Sequence, residues 1–427
     1  CNGGSDGTAT ATVSGGTLPY DYSWSNGQTL SGDVTGTNTA TGLAQGNISI
    51  TITDGKGCTA TDNTTITEPA VLSATMGSPS MVSCNGGNNG SVTVTGSGGT
   101  AATDYTYSWN TTPVQTTATA SNLVAGSYSV TITDDNNCTT TAGPISIIEP
   151  NALSASIGTP SMVSCNGGNN GSATVTGSGG TAAIDYTYSW NTTPVQTTAT
   201  ASNLVAGNYT VTVTDDNGCT ATDNVAISEP TALAATMGAP TMVSCNGAVP
   251  ADGSVTVTAS GGTVAGNYAY LWSDGQTTAT ASNLSAGNYS VTITDDNSCT
   301  VAAGPVTIIE PSAVVASMGT PSMVSCNGGN DGSVTVTASG GTVAGSYTYL
   351  WSDGQTTATA NNLVIGNYSV TVTDDNSCTA TAGPVTITDV TAITQSNVKT
   401  HVLCNGDANG QIAITVNGGT APYNINW

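Results

Sequence analysis

The chain of 427 residues has no phenylalanine, one histidine and only two basic side chains, Lys56 and Lys399, against 26 acidic ones, for a formal charge of -24. Proteins hold nucleic acid largely through cations that neutralise phosphates, so that class of partner is excluded. The same shortage rules out a basic amphipathic helix lying on anionic lipid, and no apolar run approaches the length of a membrane span. The lone histidine, His401, lies outside the full repeats described below, so no repeat can hold a Ser-His-Asp or Cys-His arrangement. Adjacent carboxylates such as Asp134 and Asp135 point in diverging directions and cannot straddle a glycosidic bond as a catalytic pair must. No enzyme is expected here. Spacing of the Cys-x-x-Cys kind does not occur, which argues against zinc.

What the chain does contain is threonine, serine, glycine and asparagine with few strong helix formers, a composition for short strands and tight turns. It is also periodic. Early cysteines stand at Cys1, Cys84, Cys165, Cys245, Cys326 and Cys404, and late ones at Cys58, Cys138, Cys219, Cys299 and Cys378, a period of about 80 residues. The repeats run 1–68, 69–149, 150–229, 230–310, 311–389 and 390–427, the first and last incomplete, which reads as a stretch of a longer protein. Cysteines at matched positions read as disulfides and hence as an oxidising, extracellular, cell-surface setting.

The second repeat shows the pattern. Ala70 to Met76 is a first strand, and Ser91-Val-Thr-Val-Thr95 places Val92 and Val94 on one face. Tyr105, Tyr107 and Trp109 then alternate with threonine and serine, and Tyr128, Val130 and Ile132 alternate with Ser129, Thr131 and Thr133. Six or seven short strands in a unit of this size predict an all-β fold of tandem immunoglobulin-like or PKD-like β-sandwiches rather than a solenoid, whose shorter repeats cannot bury a core alone. The expected core residues are Trp24, Trp109, Trp190, Trp272 and Trp351, with Tyr128, Tyr209, Tyr289 and Tyr368.

Taken together, Cys-Asn-Gly-Gly, Gly-Ser-Val-Thr-Val-Thr, Gly-Gly-Thr, Tyr-x-Tyr-x-Trp-Ser-x-Gly-Gln-Thr-Thr, Gly-Asn-Tyr-x-Val-Thr-Val-Thr-Asp and Glu-Pro resemble the SprB repeat. That family occurs in very large surface adhesins of Bacteroidota, exported by type IX secretion and associated with gliding motility, and the resemblance implies such a role. The departures are Ile48 in place of the tyrosine, the insertion Ala248 to Asp252, and Thr388-Asp389-Val390 in place of Glu-Pro.

Two disulfide frames follow from the spacing. The simpler closes each repeat on itself: Cys1–Cys58, Cys84–Cys138, Cys165–Cys219, Cys245–Cys299 and Cys326–Cys378. In a sandwich, however, the strand after the early cysteine and the strand before the late one run in the same direction. The two cysteines then sit at opposite ends of the domain, beyond disulfide reach. Stitching neighbouring repeats instead gives Cys1–Cys138, Cys84–Cys219, Cys165–Cys299 and Cys245–Cys378. Such a junction would bring carboxylates together, making Asp134, Asp135, Asp215, Asp216, Asp295, Asp296, Asp374 and Asp375, with Glu149, Glu229 and Glu310, candidate calcium ligands, although each turn also reads as a solvated Asx turn. No other cofactor is expected. The partners are neighbouring repeats, and beyond them surface polysaccharide or further copies in a filament. A lectin-like module binding sugar through the variable loop after the tryptophan is the alternative to a stalk. Strand-forming sequence runs almost unbroken from Pro144 into Leu153, leaving little linker to bend. Small-angle scattering is therefore expected to give the profile of an extended rod; a collapsed or freely jointed particle would contradict this.

Overall fold

The structure, a computed structural model, describes residues 1–101, 104–182 and 185–427. Among the described residues every regular element is a β-strand, and no helix is long and apolar enough to cross a membrane. Contacts divide the chain into two units, Cys1–Met162 with Asn170–Ile227, and Val163–Asn169 with Ser228–Trp427.

In the first unit, repeat 2 folds as six strands, Ala70–Met76, Gly90–Gly99, Thr106–Trp109, Thr119–Leu123, Gly126–Thr133 and Thr139–Ile147. They form two antiparallel sheets of three, with the second strand between the first and fourth, and the fifth between the third and sixth. Alternation decides which side chains meet. Val92, Val94, Ala120 and Leu123 from one sheet pack against Trp109, Val130, Ile132 and Ile147 from the other, while threonines at the intervening positions face water. Repeat 3 keeps the same strand order. Repeat 1 pairs Gly7–Thr12 with Thr37–Leu43 and adds a short strand, Thr29–Asp33, to the edge of its other sheet after the Asn26-Gly27 turn.

In the second unit, repeats 4 and 5 reproduce the two three-stranded sheets around Trp272 and Trp351. The last strands, Thr394–Thr400 and Gln411–Asn417, pair as an antiparallel ribbon.

Trp109, Trp190, Trp272 and Trp351 are at most 2% exposed, and Trp24 5%. Each indole of repeats 2 to 5 donates to a backbone carbonyl, as Trp351 does to Thr357 at 2.8 Å. Tyr128, Tyr209, Tyr289 and Tyr368 are only half-buried, a correction to their expected place in the core. The reason is the hydroxyl, which donates to a carbonyl four residues back at the turn entering the fifth strand (Val124, Val205, Ser285 and Val364) at 3.0–3.1 Å. This is the tyrosine-corner arrangement of immunoglobulin-like sandwiches. Replacing Trp351 by alanine is expected to destabilise repeat 5 by about 3–5 kcal/mol. Denaturant unfolding followed by the near-ultraviolet signal would show a new early transition, and an unchanged profile would mean the core does not rest on this ring.

Candidate functional site

The loops carrying the two cysteines are held by carboxylates. At the early cysteine, the Glu149 carboxylate accepts the Gly86 N–H at 2.6 Å, the Asn85 amide donates to the Pro150 carbonyl at 3.1 Å, and the Gly87 N–H closes a turn onto the Cys84 carbonyl at 2.9 Å. Asn166 and Gly167 use Glu229 and Pro230 likewise, and Asn246 and Gly247 use Glu310 and Pro311. Cys-Asn-Gly-Gly and Glu-Pro are thus one device, although about 65 residues separate them. It fixes the early-cysteine loop to the end of the sixth strand.

The opposite end is organised by Asp134. This side chain is 4% exposed, and its oxygens accept N–H groups from Thr100, Asn136 and Cys138 at 2.8, 3.0 and 2.8 Å. Asp215, Asp295 and Asp374 do the same in their repeats. The Gly-Gly-Thr turn is shaped to meet this carboxylate. Gly98 and Gly99 have φ of +75° and +65°, and a Cβ on Gly99 would stand 2.6 Å from an Asp134 oxygen. One buried carboxylate therefore ties the hairpin bearing the late cysteine to the loop that leaves the other sheet. The Thr100 N–H leads the contacts that hold Asp134 below the ordinary carboxylate value of 3.8, and the Thr181 N–H leads for Asp215, in both cases against the opposing effect of burial.

The second strand starts at Gly90 beside Leu123, and the fifth departs from the same end at Gly126. An eight-residue strand rises about 25 Å, so Cys84 and Cys138 of one repeat lie at opposite ends of it. They do not pair. The structure joins Cys1 to Cys138, Cys84 to Cys219, Cys165 to Cys299 and Cys245 to Cys378, with Cα separations of 5.4–5.7 Å. Each bond links the early cysteine of one repeat to the late cysteine of the next, and the within-repeat frame is not formed. Cys58, Cys326 and Cys404 are free and exposed.

Beside three of these bonds runs a contact that the sequence reading missed. The amides of Asn217, Asn297 and Asn376 donate at 3.0 Å to the carbonyls of Ser83, Ser164 and Ser244, the residues just before the early cysteines. The Asp-Asp-Asn turn therefore does two jobs: its first residue orders the loop, and its third reaches the neighbouring repeat. Its second residue binds locally where the partner is described. Asp296 accepts the Ala265 N–H and Asp375 the Ala344 N–H.

The structure does not gather the candidate calcium ligands into one cluster. Glu149, Glu229 and Glu310 are engaged with the loops of their own repeats, and Asp134, Asp215, Asp295 and Asp374 accept N–H donors where a cation would need free oxygen. Among the described residues no group of three or more His, Cys, Asp or Glu side chains is placed to hold a metal. Repeat 5 shows what the glutamate contributes. Asp389 takes its place, and Oδ2 alone accepts both the Asn327 amide and the Gly328 N–H at 2.9 Å, leaving Oδ1 buried without a partner.

Fold and junction define a tandem array of β-sandwich domains in which covalent bonds cross from each domain to the next. The chain belongs to the SprB repeat family, whose model matches residues 1–29, 78–113, 157–194, 238–277, 319–356 and 396–427. No curated protein matches it. Solved structures similar to it include a tetra-tandem repeat from the extending region of a large adhesion protein, at 16% identity over 74% of this chain and 99% of that one, with a TM-score of 0.25. Others are the N-terminal eight Ig domains of the Down syndrome cell adhesion molecule, at 13% over 89% and 70% with a TM-score of 0.22, and bacterial invasin, at 12% over 93% and 79% with a TM-score of 0.19.

Three outcomes are expected. Because the Asp134-type carboxylates have lowered folded values, their stabilisation is complete above pH 3.8 and drains as pH falls below it. Melting followed from pH 7 to pH 2 should fall steeply only in that lower range, and Asp215→Asn should flatten the fall. Loops of 133–137 residues are long enough for a disulfide to contribute on the order of 5 kcal/mol in the chain-entropy account, so a reductant that demonstrably frees the thiols should lower the melting temperature, and an unchanged melt would contradict this. Asp389→Glu should raise the stability of repeat 5 by about 1 kcal/mol by giving the second oxygen a donor, read as a shift in denaturant midpoint.

Proposed function

We propose that the chain is a non-catalytic, extracellular stalk segment of a very large bacterial surface adhesin, working in surface attachment and gliding motility after type IX export. The observation that carries this reading is the disulfide crossing between successive repeats. Such bonds form in oxidising compartments, and a chain that stitches each domain to its neighbour is built to hold position rather than to turn over a substrate. Membership of the SprB family supports the adhesin assignment. The acidic surface and the shortage of lysine fit an exposed segment that keeps copies from associating indiscriminately. Surface polysaccharide, or other copies in a filament, are the partners this reading favours at the cell surface.

The lectin reading places sugar in the loop after the tryptophan, where Asn110 to Val114 and Asn191 to Val195 are alike and Ser273-Asp-Gly-Gln276 differs. A concave surface of about 580 Å³ lies there in repeat 2, lined by Asn110, Pro113, Gln115 and Tyr128 among others. The one ring in that lining, Tyr128, is half-buried and its hydroxyl already donates to the Val124 carbonyl, which favours the stalk. A glycan array probed with the full chain displayed on beads is expected to show no glycan-specific binding. Binding that disappears when both Asn-Thr-Thr-Pro-Val loops are exchanged for Ser-Asp-Gly-Gln would overturn the stalk in favour of the lectin.

A further inference from the structure

The four disulfides overlap along the chain. Cys84 lies inside the loop closed by Cys1 and Cys138, Cys165 inside the one closed by Cys84 and Cys219, and Cys245 inside the one closed by Cys165 and Cys299. Overlap changes which atoms carry a pull along the array. Tension entering at Cys1 crosses to Cys138, follows the backbone to Cys165, crosses to Cys299 and follows the backbone to Cys326. A second route starts at Cys58, follows the backbone to Cys84, crosses to Cys219, runs on to Cys245, crosses to Cys378 and continues to Cys404. Both routes use only the connecting segments of about 27 residues between a late cysteine and the next early one. In repeats 2 to 5 these segments consist of the sixth strand of one repeat and the first strand of the next. The segments of about 54 residues from early to late cysteine, which hold the second to fifth strands and the tryptophan, hang off both routes.

We propose that the array is a double covalent load line, in which tension between the termini runs through the disulfides and connecting segments and bypasses all but one of the folded cores. The idea deepens the stalk reading, yet the route taken by tension does not depend on what the protein attaches to. Its main consequence is a ceiling on extension. From Cys1 to Trp427 two covalent routes are equally short to within a residue, and both cross first to Cys138. One then runs on to Cys165, crosses to Cys299 and returns through repeat 4 to Cys245, while the other returns through repeat 2 to Cys84, crosses to Cys219 and runs on to Cys245. Both then cross to Cys378 and run to the end. Either is about 130 residues, against about 430 for the reduced chain. At about 3.6 Å per fully extended residue the limits are about 480 Å and about 1,500 Å, a threefold difference. The two lines also back each other up: without the bond between Cys84 and Cys219, the route through Cys165 and Cys299 keeps the limit to within a residue.

Single-molecule stretching of the full chain, held at its termini, tests this with two insertions of 20 Gly/Ser residues. One goes between Gly158 and Thr159, exposed residues on a connecting segment; the other goes between Pro194 and Val195, exposed residues in a loop off both lines. In the oxidised chain with all four disulfides neither insertion should change the final contour, because the route through Cys84 and Cys219 avoids both. In the oxidised Cys84→Ser, Cys219→Ser chain the first should lengthen it by about 70 Å and the second should leave it unchanged. After reduction by a dithiol both should add the same length, which shows that each inserted chain is intact. Equal lengthening by the two insertions in the oxidised Cys84→Ser, Cys219→Ser chain, or oxidised and reduced contours of the same length, would overturn the double line. Cys84→Ser with Cys219→Ser is expected to keep the oxidised contour, and a large increase would show that the lines do not share the load. None of these readouts involves adhesion, so a failed adhesin assignment would be seen separately, in attachment assays.

Discussion

A buried carboxylate that gathers three backbone N–H groups is the constraint on which the junctions rest. Asp134 and its equivalents take donors from the Gly-Gly-Thr turn and from both sides of the hairpin that follows the fifth strand. Without that charge the Thr100 and Cys138 N–H groups would be left without their acceptor at the end of the sandwich, and the late cysteine would lose the turn that presents it. Leaving buried donors unpaired is costly, so placement of the sulfur is bound to the stability of the domain. At the other end the glutamate of Glu-Pro does the equivalent work for the early cysteine. Each repeat therefore presents two rigid, complementary ends, and the disulfide joins surfaces that hydrogen bonds have already shaped.

This arrangement explains why the variable loop after the tryptophan can differ among repeats while the turns at the ends keep their residue types. The loop lies between the third and fourth strands, and its Asn110 and Gln115 bond to Ser121, Ser127 and Ser129 near the start of the fifth strand. The Asn-Gly and Glu-Pro positions have partners across the repeat, so a change at one leaves a donor or acceptor stranded, as the unpartnered Oδ1 of Asp389 shows.

Much of the fold was legible in the sequence because period-two alternation is a local signal. Tyr107 and Trp109 fall on one face, and so do Val130 and Ile132, for the same geometric reason. The opposed ends of the two cysteines in a repeat were also legible, since strand direction follows from strand order. Other features left no local trace. A carboxylate looks the same in sequence whether its partners are cations or N–H groups, so Glu149 and Asp215 suggested calcium although backbone donors hold them. The amide of Asn217 meets the Ser83 carbonyl across more than a hundred residues of sequence, and nothing in an Asp-Asp-Asn turn distinguishes a solvated asparagine from one that reaches the next repeat. The tyrosines of the fifth strand sat at core spacing, but period alone says nothing of a hydroxyl that must find an acceptor at the rim.

The bonding rule, early cysteine to the late cysteine one repeat on, is the same at every step along the array, and this bears on how such a gene can change. Repeats 2 and 3 are nearly identical between their cysteines, the condition under which unequal recombination deletes or duplicates whole units. An exchange of that kind shifts every downstream cysteine by one full period, so each interior sulfur still finds a partner and no orphan thiol is stranded mid-array. A protein closed by within-repeat bonds would share this tolerance but would gain no continuity across the seam. Here the length of the array can drift between generations while its covalent continuity is inherited intact.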